Sequence, residues 1–157
     1  MNAPVSSTAD REIVLSRVFD APRELVFRAF TDQRHVAEWW GPNAFTITIR
    51  EMDVRPGGVW RFVMHGPDGT DYDNRIRFRE VLEPERLVFE HGSDDPSDPG
   101  FEVTVTFNAE GDKTRLTMRQ LHATAEARDH VVREYHAIEM GNQSLDRLAG
   151  YLAGRLR

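Results

Sequence analysis

The chain has 157 residues, 39% hydrophobic and 29% charged, a composition typical of one globular domain rather than of a disordered protein. Its 20 Lys and Arg stand against 26 Asp and Glu, and the net charge of −6 argues against binding to nucleic acid or to an anionic membrane. There is no cysteine, which excludes disulfides, thiolate zinc sites and a cysteine nucleophile. With no signal-peptide pattern and no apolar run near the roughly 20 residues that span a bilayer, we expect a cytoplasmic protein without stable membrane insertion.

The first ten residues differ in composition from the rest of the chain. Residues 1–10 are mostly small and polar and contain no periodic apolar pattern, so we expect a flexible N-terminal tail. No internal repeat, linker or shift in composition divides the rest. The sequence therefore predicts a single domain over residues 11–157.

One strand and two short helices are predicted after the tail. Apolar residues alternate over residues 13–19, as they do in a half-buried strand. A helix is expected next, with Asp20 as its N-cap and Pro22 in its first turn. Asp32 is placed to cap a second, shorter helix, which Gly41-Pro42 ends because proline disfavours helical geometry in the residue before it.

The middle of the chain, residues 45–119, is rich in predicted strands. Apolar and polar residues alternate there in about six segments. Turn sequences such as Gly66-Pro67-Asp68-Gly69 separate them, which is typical of antiparallel hairpins with one solvated face. The alternation changes parity near Met52, which predicts a bulge or a bend in the strand.

The last segment changes to a helical period. Over residues 124–156 there is no proline, and a stripe of residues recurs at alternating spacings of four and three, which predicts one uninterrupted helix. A helix of about 30 residues is roughly 45 Å long, enough to cross a sheet. The stripe consists of Val131, Tyr135, Ile138, Asn142, Leu145, Ala149, Leu152 and Leu156.

This order of elements predicts an α+β architecture. The apolar face of the sheet has to be covered, and the terminal helix is the predicted element long enough to cover it. A curved sheet around a long helix leaves space between the two layers, and the two short helices would close one end of that space. We therefore expect an internal cavity.

Several segments, in a fixed order, resemble bacterial helix-grip proteins. They are residues 18–22 with 25–30, Trp39-Trp40-Gly41-Pro42, residues 53–58 with Trp60, residues 84–89 and residues 144–148. The sequence resembles the START-like (SRPBCC) superfamily over residues 11–156, in the branch related to the C-terminal domain of activators of the heat-shock protein 90 ATPase. This resemblance implies the helix-grip (START/Bet v 1-like) fold, a curved antiparallel sheet around a long C-terminal helix, with two short helices closing one end.

The resemblance leaves three kinds of function open. The superfamily includes lipid and hormone binders, polyketide cyclases and hydroxylase subunits, and our leading hypothesis is binding of a small apolar or amphipathic molecule in the cavity. The alternatives are a chaperone-interaction module and an enzyme of the cyclase or dehydratase kind, for which His91, Tyr72 and Asn142 are the candidate groups. A homodimer through a sheet edge or the terminal helix is also compatible with the sequence.

One position departs from the family pattern. Relatives usually carry a tryptophan directly after the glycine of the last helix, whereas Gly141 is followed here by Asn142. A small amide in place of an indole would open volume and could orient the polar group of a ligand. Alternatively, Asn142 bonds a strand carbonyl or a buried water.

The candidate ligand-binding residues are those that the predicted strands and helices turn inward, and plain core packing is the alternative interpretation for most of them. No motif indicates a catalytic residue, a metal site or another cofactor: the histidines of the last helix lack the His-Glu-x-x-His spacing, and Gly-x-Ser-x-Gly is absent. The candidates are Trp39, Trp40, Trp60, Phe62, Met64, Tyr72, Asn74, Ile76, Phe78, Phe89, His91, Val103, Val105, Met118, Tyr135, Ile138 and Asn142.

Overall fold

The structure, a computed structural model, describes residues 8–93, 95, 97–98 and 100–155. The predicted tail lies outside the described residues as far as residue 7, and Ala9–Arg11 forms a short 3-10 helix. Among the described helices, none is long and apolar enough to cross a membrane.

Seven antiparallel strands form one sheet in the order β1-β7-β6-β5-β4-β3-β2. Four α-helices accompany them, which confirms the predicted α+β helix-grip architecture. The strands are β1 (Glu12–Phe19), β2 (Thr46–Met52), β3 (Val59–His65), β4 (Asp71–Leu82), β5 (Arg86–Ser93), β6 (Phe101–Glu110) and β7 (Lys113–Leu121). The helices are α1 (Arg23–Thr31), α2 (Gln33–Trp39), α3 (Ala125–Glu134) and α4 (Ala137–Arg155).

Two irregularities in strand pairing bend the sheet. The register of β2 on β3 shifts between Ile49 and Glu51, close to the predicted bulge or bend. The register of β4 on β5 shifts between Phe78 and Glu80, an irregularity that the alternation did not predict. Because an extra residue bends the strand that carries it, both shifts favour a curved sheet.

The two short helices begin differently from each other. Asp32 caps α2 as predicted: its side chain accepts a hydrogen bond from the Arg34 amide at 2.9 Å. The expectation that Asp20 caps α1 is wrong, because α1 begins at Arg23 and its N-cap is Pro22, which is extended and provides no side-chain bond. Proline here precedes the first turn instead of occupying it.

The terminal helix is interrupted, which contradicts the prediction of one continuous helix over residues 124–156. The helix α3 ends at Glu134 and α4 begins at Ala137. Between them His136 adopts a positive φ of 51°, a left-handed conformation that no helix interior allows. No proline or glycine marks this break, so the sequence carried no signal for it.

The break changes which face of α4 meets the sheet. Leu145, Leu148 and Leu152 are the buried residues, with at most 2% of their surface exposed. Ile138, by contrast, is 39% exposed and Asn142 is half-buried. The predicted apolar stripe is therefore wrong at these two positions, whereas its later members Leu145 and Leu152 are buried.

Candidate functional site

A cavity of about 310 Å³ lies between the inner face of the sheet and the segment that contains α3 and the first half of α4. Strands β5, β6 and β7 form its floor, Met64 of β3 and the loop after α2 form one end, and the α3–α4 junction covers it. Most of the lining side chains are apolar, with a few polar groups among them. This combination is typical of sites for small molecules.

Three small residues on α4 face this space. Ala137, Gly141 and Ser144 follow one another at spacings of four and three, so they lie on the same face of the helix, and all three line the cavity. A Cβ atom on Gly141 would lie 2.5 Å from Cδ1 of Leu15, which shows how closely α4 approaches β1. The absence of a side chain at Gly141 therefore lets the backbone of α4 lie close to β1 beside the cavity.

Asn142 does not line the cavity. It follows Gly141, and one helical step turns it by about 100° away from the cavity face. It lies beside Arg17 of β1, whose Nη2 is 3.5 Å from its carbonyl oxygen and whose Nη1 binds Asp146. The expectation that Asn142 opens the cavity in place of a tryptophan is therefore wrong.

His91 supplies one polar group in the floor of the cavity. Its Nε2 lies 2.9 Å from Oδ1 of Asn74, and the Asn74 amide nitrogen donates to the Tyr72 carbonyl at 3.0 Å. With its Nδ2 used as a donor, Asn74 presents Oδ1 as an acceptor, so Nε2 of His91 carries the proton. Burial lowers the pKa of His91 to about 4, and the imidazole is therefore neutral at physiological pH.

His122, directly after β7, supplies a second imidazole that sequence reasoning missed. Its side chain is 4% exposed and stacks on Phe101, with ring centroids 4.7 Å apart. Its Nε2 atom has no hydrogen-bond partner among the described residues. Burial, with a further contribution from the positive charge of Arg128, lowers the pKa of His122. Met118, Gln120 and His122 follow one another at spacings of two, which puts them on one face of a strand. This spacing could have identified His122 from the sequence.

The loop after α2 closes one end of the cavity, and α4 holds it in place. Gly41 and Pro42 line the cavity, and Gly41 has a φ of 100°, which favours glycine. Nη1 of Arg147 lies 3.0 Å from the carbonyl oxygens of Gly41, Pro42 and Phe45. Since one such nitrogen carries two hydrogens, these bonds are shared, and together they fix the loop against the helix.

The structure brings about half of the predicted site residues together. Those that line the cavity are Trp39, Trp40, Met64, Phe89, His91, Val103, Met118 and Tyr135. The other lining residues were not among the predicted site residues, although Val131 and Leu145 belong to the predicted stripe. They are Gly41, Pro42, Phe101, Gln120, His122, Val131, Ala137, Met140, Gly141, Ser144 and Leu145. Many of these are small, or lie where the register of the last helix was mistaken.

The remaining predicted residues lie elsewhere. Five are packed in the core, each at most 2% exposed: Trp60, Phe62, Ile76, Phe78 and Val105. Tyr72 and Ile138 are 45% and 39% exposed, and Asn74 acts beneath the lining by binding His91. Of the three groups considered for acid–base chemistry, only His91 lines the cavity, so Tyr72 and Asn142 are not placed to act there.

Solved structures of similar shape cover nearly the whole chain. Protein Ms6760 from Mycobacterium smegmatis has a TM-score of 0.85 at 27% identity, with 95% of each chain covered. Protein NE0264 from Nitrosomonas europaea has a TM-score of 0.84 at 26% identity, covering 94% of this chain and 97% of the other. A Rhodobacter sphaeroides protein has a TM-score of 0.81 at 26% identity, with 97% of each chain covered.

The sequence itself was compared with curated proteins and with families. No curated protein matches it. The family described as "Activator of Hsp90 ATPase homolog 1-like protein" matches residues 20–153, a range that contains most of the sheet, all four helices except the end of α4, and every residue that lines the cavity. The chain therefore belongs to the family of activator of Hsp90 ATPase homolog 1-like proteins.

Proposed function

We propose that this protein binds a small apolar or amphipathic molecule in the cavity between the sheet and α4. The observation that carries the proposal is the cavity of about 310 Å³, whose described lining is apolar apart from a few uncharged polar side chains. Sites for small molecules generally have volumes of about 300–1,000 Å³ and this kind of lining. A ligand gains about 25 cal/mol for each Å² of apolar surface that it buries there.

Thermal unfolding with a panel of lipids and aromatic compounds tests the proposal. A ligand present at 100 times its Kd adds about 2.7 kcal/mol to the free energy of unfolding. For a chain of this size, that corresponds to a rise in Tm of roughly 5–10 °C. We expect at least one class of compound to give such a rise, and native mass spectrometry to detect a bound molecule. A panel that leaves Tm unchanged throughout would contradict the proposal.

A matched pair of variants locates the binding. Ser144→Phe places a ring in the cavity, whereas Gly150→Phe places the same ring on the exposed side of α4, where a Cβ atom meets nothing within 4 Å. We expect Ser144→Phe to abolish the ligand-induced rise in Tm and Gly150→Phe to retain it. Retention of the rise in Ser144→Phe as well would place the binding outside the cavity.

A second candidate is interaction with a heat-shock protein 90 chaperone, which the description of the matching family raises. The ATPase rate of the cognate chaperone, measured with and without this protein, tests it directly. Acceleration that Ser144→Phe leaves intact would indicate a surface interaction independent of the cavity. No acceleration at micromolar concentrations would remove this candidate and leave the cavity proposal unaffected.

A further inference from the structure

Three aromatic rings stand side by side across neighbouring strands at one end of the cavity. His91 of β5 is paired with Phe101 of β6, and their ring centroids are 5.2 Å apart. Continuing the register of β6 on β7 sets His122 opposite Phe101, and these rings stack at 4.7 Å with an interplanar angle of 26°. We call His91, Phe101 and His122 the ring row.

We expect the ring row to present edges rather than faces to the space below α4. Neighbouring strands lie about 4.8 Å apart, so rings that stack across strands have planes roughly perpendicular to the line between the strands. Their edges then point along the strands and away from the sheet, towards the helix. Because ring edges carry partial positive charge, they attract an acceptor oxygen or the face of another ring.

The polar groups near the ring row differ in whether their hydrogen bonds are made within the protein. Nε2 of His91 is bonded to Asn74. By contrast, Nε2 of His122 has no partner among the described residues, although the side chain is only 4% exposed. Gln120 also lines the cavity, and the contact of its amide nitrogen is with the Met118 sulfur at 3.7 Å, a weak acceptor. His122 and Gln120 therefore each have hydrogen-bonding capacity that the described residues leave unused or only weakly used.

No formal charge is available to pair with an ionised ligand. The described lining contains neither Lys, Arg, Asp nor Glu. Arg128 acts electrostatically on His122 but is not part of the lining, and its guanidinium binds Asp129 at 2.8 Å and the Glu12 carbonyl at 3.3 Å. Moving an unpaired charge into such surroundings costs several kcal/mol.

We propose that the cavity selects an uncharged aromatic compound of up to two fused rings that carries a hydroxyl group, with the hydroxyl bound at the His122 and Gln120 end of the ring row. The inference rests on the proposed function and names the ligand class of that site. The cavity volume, at the lower end of the usual range for small-molecule sites, sets the size of the compound. An ionised compound of the same shape is rejected because its charge has no partner.

Three probes of nearly equal shape test the proposal by titration calorimetry at neutral pH: naphthalene, 2-naphthol and the ionised 2-naphthoate. A hydrogen bond contributes about 1 kcal/mol net, so we expect 2-naphthol to bind about fivefold more tightly than naphthalene. We expect 2-naphthoate to bind at least tenfold more weakly than 2-naphthol. Equal or tighter binding of 2-naphthoate would overturn the proposal.

The variant His122→Phe keeps a ring in the row but removes its nitrogens. It should reduce the preference for 2-naphthol over naphthalene to less than twofold. His65→Phe, which removes a half-exposed histidine of β3 that lies outside the lining, should retain the preference, and Gln120→Leu provides a second cavity variant. Thermal unfolding establishes that each variant is folded. An unchanged preference in both cavity variants would overturn the proposal.

The outcomes separate this inference from the proposed function. If naphthalene binds and 2-naphthol has no advantage, the ligand class is wrong while binding in the cavity stands. If none of the three probes binds, the ligand class is also wrong, and the broader panel with Ser144→Phe decides whether the cavity binds another class of molecule.

Discussion

The two halves of α4 cover the same sheet in different ways. In the C-terminal half, Leu148 and Leu152 are 0% and 2% exposed and are part of the hydrophobic core. In the N-terminal half, Ala137, Gly141 and Ser144 line the cavity. The space between sheet and helix is therefore filled under the C-terminal half of α4 and open under the N-terminal half. The C-terminal half of α4 provides stability, and the N-terminal half provides the site.

The largest expected difference between the halves is in stability. Leu148→Ala should lower the free energy of unfolding by about 3 kcal/mol, because it removes buried methyl groups and leaves a new cavity. Ser144→Ala, at the existing cavity, should change it by less than about 0.5 kcal/mol. Urea unfolding followed by circular dichroism measures both. Equal effects would contradict the division of α4 into a filled half and an open half.

Acid should destabilise the region around the cavity through its histidines. Burial lowers the pKa of His91 from 6.5 to about 4, so in this window the unfolded chain binds a proton that the folded chain does not. Stability is therefore unaffected by His91 above pH 6.5 and falls by roughly 3 kcal/mol as the pH decreases to 4.

Unfolding free energies of the wild type and His91→Gln across this pH range check the effect, since the amide does not titrate. His122, whose pKa is also lowered, contributes in the same direction in both proteins. Asp32, with a pKa of about 2, loses its contribution only at lower pH, as the pH falls below 3.8. Parallel curves for the two proteins would contradict the burial of His91 as a neutral group.

Because Gly141 lies close to Leu15, we expect substitutions at these two positions to affect stability together. This effect is smaller than that of Leu148→Ala or of acid. Gly141→Ala should destabilise the protein by about 1 kcal/mol, because its Cβ would lie 2.5 Å from a methyl group of Leu15, which outweighs the better helix propensity of alanine. In a Leu15→Ala background, the same change should stabilise by about 1 kcal/mol. A double-mutant cycle measures this coupling. Additive effects would mean that α4 and β1 are further apart.

The smallest expected effect concerns the exposed side of α4. Gly150 is exposed in the C-terminal half, and a Cβ atom there meets nothing within 4 Å. Gly150→Ala should therefore stabilise the protein by about 0.5–1 kcal/mol through helix propensity alone. Thermal unfolding with and without a ligand measures this gain and should show an unchanged ligand-induced rise in Tm. A ligand-dependent effect would link the exposed side of α4 to the cavity.

The fold followed from the sequence because it depends on periodic patterns. Alternation defined the strands, Asp32 and Gly41-Pro42 marked the limits of α2, and several motifs in a fixed order carried the resemblance to the family. Such signals are spread over many residues. A local error, such as the cap assigned to Asp20, therefore leaves the architecture intact.

The site was predicted less completely, for two physical reasons. Hydrophobic periodicity follows large apolar side chains, whereas three of the α4 residues that line the cavity are the small Ala137, Gly141 and Ser144, which give a weak signal. The left-handed residue His136 also ends α3 where no proline or glycine marks a break, so the prediction of one continuous helix was wrong. Both features depend on three-dimensional packing, which a one-dimensional period does not contain.

The methionine methyl groups provide the most direct test of the central claim, that a ligand occupies the space under the first half of α4. Of the five methionines, Met64, Met118 and Met140 line the cavity, and Met52 of β2 does not. In a ¹³C-methyl NMR titration with 2-naphthol or any compound that raises Tm, we expect the signals of these three residues to shift together and the Met52 signal to stay in place. A shift of Met52 alone, or binding without any shift of the three, would contradict the account.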